Sequence, residues 1–137
     1  MQTNKPLNLC LELAQTYART TRRIDGRLGS LHGLSFNDFA ILRQVSKAGK
    51  LRRVDLAEQL GLTPAAVTRA LIPLEKIGLV EREAHEHDAR ASLAVLTRAG
   101  KRLLEEATET AEEVSREVLE AESARFDAMS QILEALR

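Results

Sequence analysis

The residues best suited to chemistry lie between positions 63 and 90. Thr63-Pro64-Ala65-Ala66 is followed by Thr68 and Arg69. Threonine before proline marks a helix start: the hydroxyl accepts a hydrogen bond from an otherwise unpaired N–H, and proline loses nothing at the first helical position. The free N–H groups and positive dipole end of such a helix suit a phosphate. Small residues there let the backbone sink into a groove, and Ala and Thr methyls can pack on thymine methyl groups. Arg69 lies one turn further along the same edge, where a guanidinium can contact guanine or phosphate. Downstream, His85-Glu86-His87-Asp88-Ala89-Arg90 ends in an arginine of the kind that enters a minor groove, with Asp88 placed to pair with Arg90 and aim it. A generic helix hairpin with a surface arginine, and a solvated mixed-charge tip, account for the same residues and stay open at this level.

Other reactive groups do not assemble. Cys10 is the only cysteine, so no internal disulfide can form. A buried, inert thiol is the simpler expectation for it. His85 and His87 share the tip while His32 is distant, and zinc needs three or four converging ligands. No structural metal and no cofactor are expected. There is no nucleophile–base–orienter set, serine elbow or Gly-rich phosphate loop, which argues against an enzyme.

The net charge is zero, yet the charge is unevenly spread. Residues 43–102 carry 12 Lys/Arg against 7 Asp/Glu, whereas residues 103–137 carry 3 against 10. A basic middle joined to an acidic tail implies one lobe facing a polyanion and one kept off it. Hydrophobic residues make up 44% of the chain, too many for disorder, and aromatics only 3%, so the core must be aliphatic, which favours packed helices. No apolar run approaches the roughly 18 residues of a membrane span. The N-terminus lacks the basic region and cleavage site of a secretory signal, so a cytoplasmic location is expected.

These residues need a scaffold. Leu9, Leu13, Tyr17, Thr20, Ile24 and Leu28 recur at three- and four-residue steps and predict a helix over 7–28, broken at 29–33. Ser35, with Asp38 three residues on, starts a second helix ending near Gly49. Residues 50–53 could form a very short strand. A short helix over 54–60 ends at Gly61, and Thr63 opens another that runs to 77 and bends where Pro73 interrupts it. Residues 79–82 and 92–97 alternate as two strands of a hairpin with a polar tip. Helices return after 99, the last capped by Ser123. The fold class is mainly α with a small β wing, in the order α-α-β-α-α-β-β-α-α. Two short helices across Gly61-Leu62-Thr63, followed by a hairpin, read as a winged helix-turn-helix.

The run LAEQLGLTPAAVTRALIPLEKIGLVEREAHEHDARASLAVLTRAGKRLL, residues 56–104, resembles the winged helix-turn-helix of the MarR family of bacterial regulators. LAEQLGLT, PAAVTR, LEKIGLVER, the D-A-R of the tip and LTRAG carry the likeness. The resemblance implies a single domain over 1–137, with a DNA-binding lobe over 30–100 and a helical dimerisation lobe from 1–29 and 101–137. It implies a homodimer on a palindromic operator in double-stranded DNA, acting as a repressor. Thr63, Pro64, Ala65, Ala66, Thr68 and Arg69 match the groove-reading helix, and Asp88 and Arg90 the wing. Many relatives carry a second arginine where Ala89 stands. Relatives often respond to small effectors, frequently aromatic acids, between the lobes; Tyr17, His32 and Phe39 are candidates to line such a pocket, with core packing the simpler role for Tyr17 and Phe39. Some relatives sense peroxide through a cysteine in the first helix.

Pairing with a second copy also follows from the residues. The terminal helices carry more apolar stripe than one small winged lobe can cover, and a dimer would bury Leu9, Leu13, Leu119, Phe126, Met129, Leu133 and Leu136. Two other readings remain beside DNA binding: a winged module that docks a protein partner, and a redox sensor acting through Cys10.

Overall fold

The computed structural model describes residues 4–88 and 91–137. The first helix, α1 (Lys5–His32), starts where the Asn4 side chain accepts from the Leu7 N–H, and ends where Gly33 turns left-handed at φ 69°. It runs on through the expected break at 29–33. The Gly33 and Leu34 N–H groups bond back to the Gly29 and Leu28 carbonyls, and Leu28 and Leu34 bury themselves completely or nearly so. That burial outweighs the roughly 1 kcal/mol that a glycine costs inside a helix.

Helix α2 (Phe36–Ala48) opens with the expected Ser35 cap, and Asp38 completes a reciprocal capping box. Asp25 of α1 also accepts from the Phe36 N–H at 2.8 Å, pinning this helix start to α1. Strand β1 (Leu51–Arg52) leads into α3 (Arg53–Leu60), then α4 (Pro64–Lys76), β2 (Val80–Ala84) and β3 (Ser92–Leu96). The wing is a three-stranded antiparallel sheet in the order β1-β3-β2, with Val80 opposite Leu96 and Ala84 opposite Ser92. Leu51 and Arg52 complete it, paired with Ala94 and Leu93.

Helix α5 (Arg98–Leu119) follows, then a 3₁₀ segment (Glu120–Arg125) and α6 (Phe126–Ala135). Ser123 does not cap α6: it lies within the 3₁₀ segment, and no side chain caps the Arg125 start. Helix α4 continues through Pro73 to Lys76. One largely aliphatic cluster joins every element except the 3₁₀ segment and α6, with Leu28, Ile41, Leu42, Leu56, Leu71 and Val114 essentially free of solvent. Cys10 and Tyr17, expected inside, are exposed on α1, whose residues up to Arg19 are exposed throughout among the described residues.

The wing is fastened to α5 at its base. Thr97 donates its N–H to the Leu79 carbonyl and its hydroxyl to the Gly78 carbonyl, while that hydroxyl accepts from the Gly100 N–H to cap α5. A Cβ on Gly100 would overlap the Leu79 carbonyl oxygen. Both sides of this contact are backbone, so neither can rotate away. Gly100→Ala is expected to cost about 2–3 kcal/mol through overpacking. Thermal and urea unfolding check this; a melting point within a degree of the parent's would contradict it.

Candidate nucleic-acid interface

The helix pair is set by its turn. Gly61 adopts φ 67°, and the Gly61 and Leu62 N–H groups bond back to the Glu58 and Ala57 carbonyls, closing α3. Thr63 then sits extended at φ −80°, ψ 152°, and its hydroxyl accepts from the Ala66 N–H at 3.1 Å. Pro64 takes the first helical position, as expected from its type.

Burial fixes which face of α4 is free. Val67, Leu71 and Leu74 lie in the core with Leu56 and Ala57 of α3. The opposite face, with Thr63, Pro64, Ala65 and Arg69, is exposed, and Ala66 and Thr68 are half-buried beside it. Ala65 and Arg69 are one turn apart and therefore neighbours on that face. Among the described residues Arg69 makes no hydrogen bond or ion pair, so its guanidinium is available to an anion. The arrangement can seat a phosphate at the helix start while Arg69 reaches a base edge or a second phosphate.

Thr68 has a second role that its sequence position did not reveal. Its hydroxyl accepts from Arg53 Nη1 at 3.3 Å, and Arg53 Nη2 approaches Glu75 at 3.4 Å. Glu75 also accepts from Arg82 Nε, at 3.0 and 3.2 Å to its two oxygens. Residues of α3, α4 and β2 are thus joined in one polar network, with no motif to announce it.

At the wing, the His85 N–H bonds the Ala91 carbonyl and the Ala91 N–H bonds the Asp88 carbonyl, closing the hairpin. Asp88 is exposed. Arg90 and Ala89 lie outside the described residues, and so does any Asp88–Arg90 pair. The Arg52 guanidinium is held above its ordinary pKa, first by its hydrogen bond to Asp55, then by that carboxylate's charge, with Asp88 adding a smaller contribution. Lys50 is raised likewise, first by its hydrogen bond to Glu83. Both cations keep their charge on this surface, in solvent where such pairs add little stability. No cluster of metal-ligating side chains occurs among the described residues.

The residues expected at a dimer interface are exposed without exception. Leu9 and Leu13 stand on α1; Leu119, Phe126, Met129 and Leu133 stand on the end of α5 and on α6, and Leu136 follows directly after α6. A groove lined by Thr16, Thr20, Leu119, Phe126, Met129 and Leu133 brings several of them together. Leu7, Leu11 and Ile132 are equally exposed and were missed by reading a single stripe.

Comparison with known proteins gives the same picture. The family model described as MarR family matches residues 34–92. YxaD of Bacillus subtilis (strain 168), an uncharacterized HTH-type transcriptional regulator, is 30% identical over 104 residues, which cover 76% of this chain and 73% of that protein. The crystal structure of the transcriptional regulator BldR from Sulfolobus solfataricus superposes with a TM-score of 0.83 at 31% identity, over 98% of this chain and 99% of that one. A MarR mutant from E. coli, crystallised with operator DNA, shares the fold with a TM-score of 0.81 at 22% identity, over 96% and 94%. These relatives are regulators, a non-enzymatic class. With its capped helix pair, its wing and its terminal helices in this order, the chain belongs to the MarR family of transcriptional regulators.

Proposed function

We propose that the chain binds duplex DNA sequence-specifically as a homodimer, represses at a palindromic operator and is released by a small ligand. The observation that carries the reading is the exposed start of α4: a threonine-capped, small-residue helix end with an arginine one turn behind it that is unpaired among the described residues. Burial of Val67, Leu71 and Leu74 leaves that edge outermost. The MarR mutant crystallised with operator DNA has the same fold, which supports this pose for α4.

Dimerisation is supported by the apolar residues the single chain leaves in water. A helix that is apolar on more than one side is normally enclosed. Leu7 and Leu11 share one face of α1, Leu9 and Leu13 another. A two-fold dimer places two α4 helices on half-sites about 34–36 Å apart.

Release by a ligand is supported by a cavity of about 290 Å³ lined from α1, α2 and α5 by Ile24, Phe36, Phe39, Arg43, Ala111 and Glu112. Its aromatic walls fit a small aromatic ligand, with Arg43 and Glu112 lining it as groups of opposite charge. Phe39, expected in either role, is both buried and a wall of this cavity; among the described residues His32 instead hydrogen-bonds Thr110 at 2.7 Å.

Two measurements test the reading. A palindrome recovered by site selection on random duplexes provides the probe. Arg69→Ala should weaken binding to it by about 1–3 kcal/mol and lower the salt slope or relax one base position. Combined with Arg90→Ala, it should abolish specificity; unchanged affinity and salt dependence in the double variant would end the DNA reading in favour of a protein-docking module. Separately, Leu13→Asp with Leu133→Asp should give a monomer by light scattering and lose operator binding. A parent protein that is monomeric at micromolar concentration would refute the dimer.

A further inference from the structure

Helix α4 carries Pro73 in its interior. Proline has no N–H, so the Arg69 carbonyl lacks its donor four residues on, and the ring crowds the preceding turn. The missing bond falls between the half of α4 that holds Thr63, Ala65 and Arg69 and the half that leads to the wing. An unsupported helix is weakest there.

Arg53 lies across this point. One of its terminal nitrogens donates to Thr68, on one side of Pro73, and the other to Glu75, on the other side. Thr68 and Glu75 are seven positions apart and so share a face of the helix. Glu75 in turn receives Arg82 from β2 at 3.0 Å. The side chains of Arg53 and Glu75 are only 23% and 22% exposed, so solvent screens this pair less than the open surface pairs of the molecule. Helix energetics do not explain Arg53. It occupies the first turn of α3, where the dipole disfavours a cation, and Arg52 before it supplies no side-chain cap. Its partners on α4 do explain it.

We propose that Glu75 is a positioning residue for DNA recognition: through Arg53 it splints α4 across Pro73, and through Arg82 it ties the splinted helix to the wing. The Arg69 half of α4 and the wing then hold one relative orientation, so that major-groove and flanking contacts fall in register. The positioning role rests on the DNA-binding reading above; the splint itself does not.

The test uses the full-length protein as wild type, Glu75→Gln, Pro73→Ala and the double variant. Gln keeps the volume and one acceptor oxygen but removes the charge. An alanine in place of Pro73 restores the helical hydrogen bond, so the splint becomes redundant. Glu75→Gln should weaken binding to the selected duplex by about tenfold in the wild-type background and by less than about threefold in the Pro73→Ala background. Binding to random duplex should stay unchanged in all four. Equal losses in both backgrounds would mean a general stability effect and overturn the proposal. Tighter binding with a steeper salt slope would show Glu75 merely neutralising two arginines, and overturn it too.

Hydrogen exchange on the DNA-free protein keeps the two ideas apart. Amides 68–72 should exchange faster in Glu75→Gln, and the difference should vanish when Pro73→Ala is also present. Unaltered exchange overturns the splint whatever the DNA result. An exchange difference in a protein whose wild type binds no duplex overturns the functional reading, and with it the positioning role.

Discussion

The geometry of the molecule depends on one crowded junction. The Leu79 carbonyl receives the Thr97 N–H at 3.1 Å, and the Cα of Gly100 passes so close that no side chain fits between them. Thr97 holds both sides, donating its hydroxyl to Gly78 and capping α5 with the same oxygen. Leu79 also donates back to Leu74, which ends α4. The close of α4, the roots of both long wing strands and the start of α5 therefore meet within a few residues. The backbone contact at Gly100 and the Thr97 hydrogen bonds couple the end of α4 directly to the start of α5. Because interfaces of this density repack in discrete steps rather than flex, small changes in one lobe have a stiff route to the other.

Charge is organised around the same frame. The exposed edge of α4 keeps Arg69 unpaired among the described residues, while Arg53 and Arg82 are tied to Glu75. Two of the three arginines thus serve geometry, and one is left for a ligand. On α5 the carboxylates Glu105, Glu106, Glu109, Glu112 and Glu113 are exposed in succession. An acidic helix repels a polyanion over roughly a Debye length, about 8–10 Å at ordinary salt. Zero net charge therefore conceals a polarity along the chain, which biases how it can approach DNA without deciding the sequence it reads.

What could be read from the sequence was whatever is local in the chain. The Ser35 and Thr63 caps, the Gly61 stop and the Pro64 start each depend on residues within four positions, and the structure forms them as expected. The order of elements and the exposed edge of α4 followed from the same patterns. Contacts between distant residues were not legible. Arg53, Glu75 and Arg82 are ordinary surface types, and nothing in their spacing marks them as partners. The run of α1 through Gly29 was missed because the glycine's propensity was weighed without the Leu28–Leu34 burial that overrides it. Leu7 and Leu11 were missed because a single stripe was sought on a helix with apolar residues on two faces. Tyr17 and Cys10 were expected inside on residue type alone, but both stand exposed on α1.

That last point bears on regulation. The cavity beside Phe39 has walls from α1, α2 and α5. On the proposed reading, an occupant would press on both lobes at once. The Thr97 junction holds the far end of the basic lobe against α5, and the Asp25–Phe36 hydrogen bond holds the near end of α2 against α1. Helix α3 packs against both α2 and α4, so a change at α2 reaches α4 through α3.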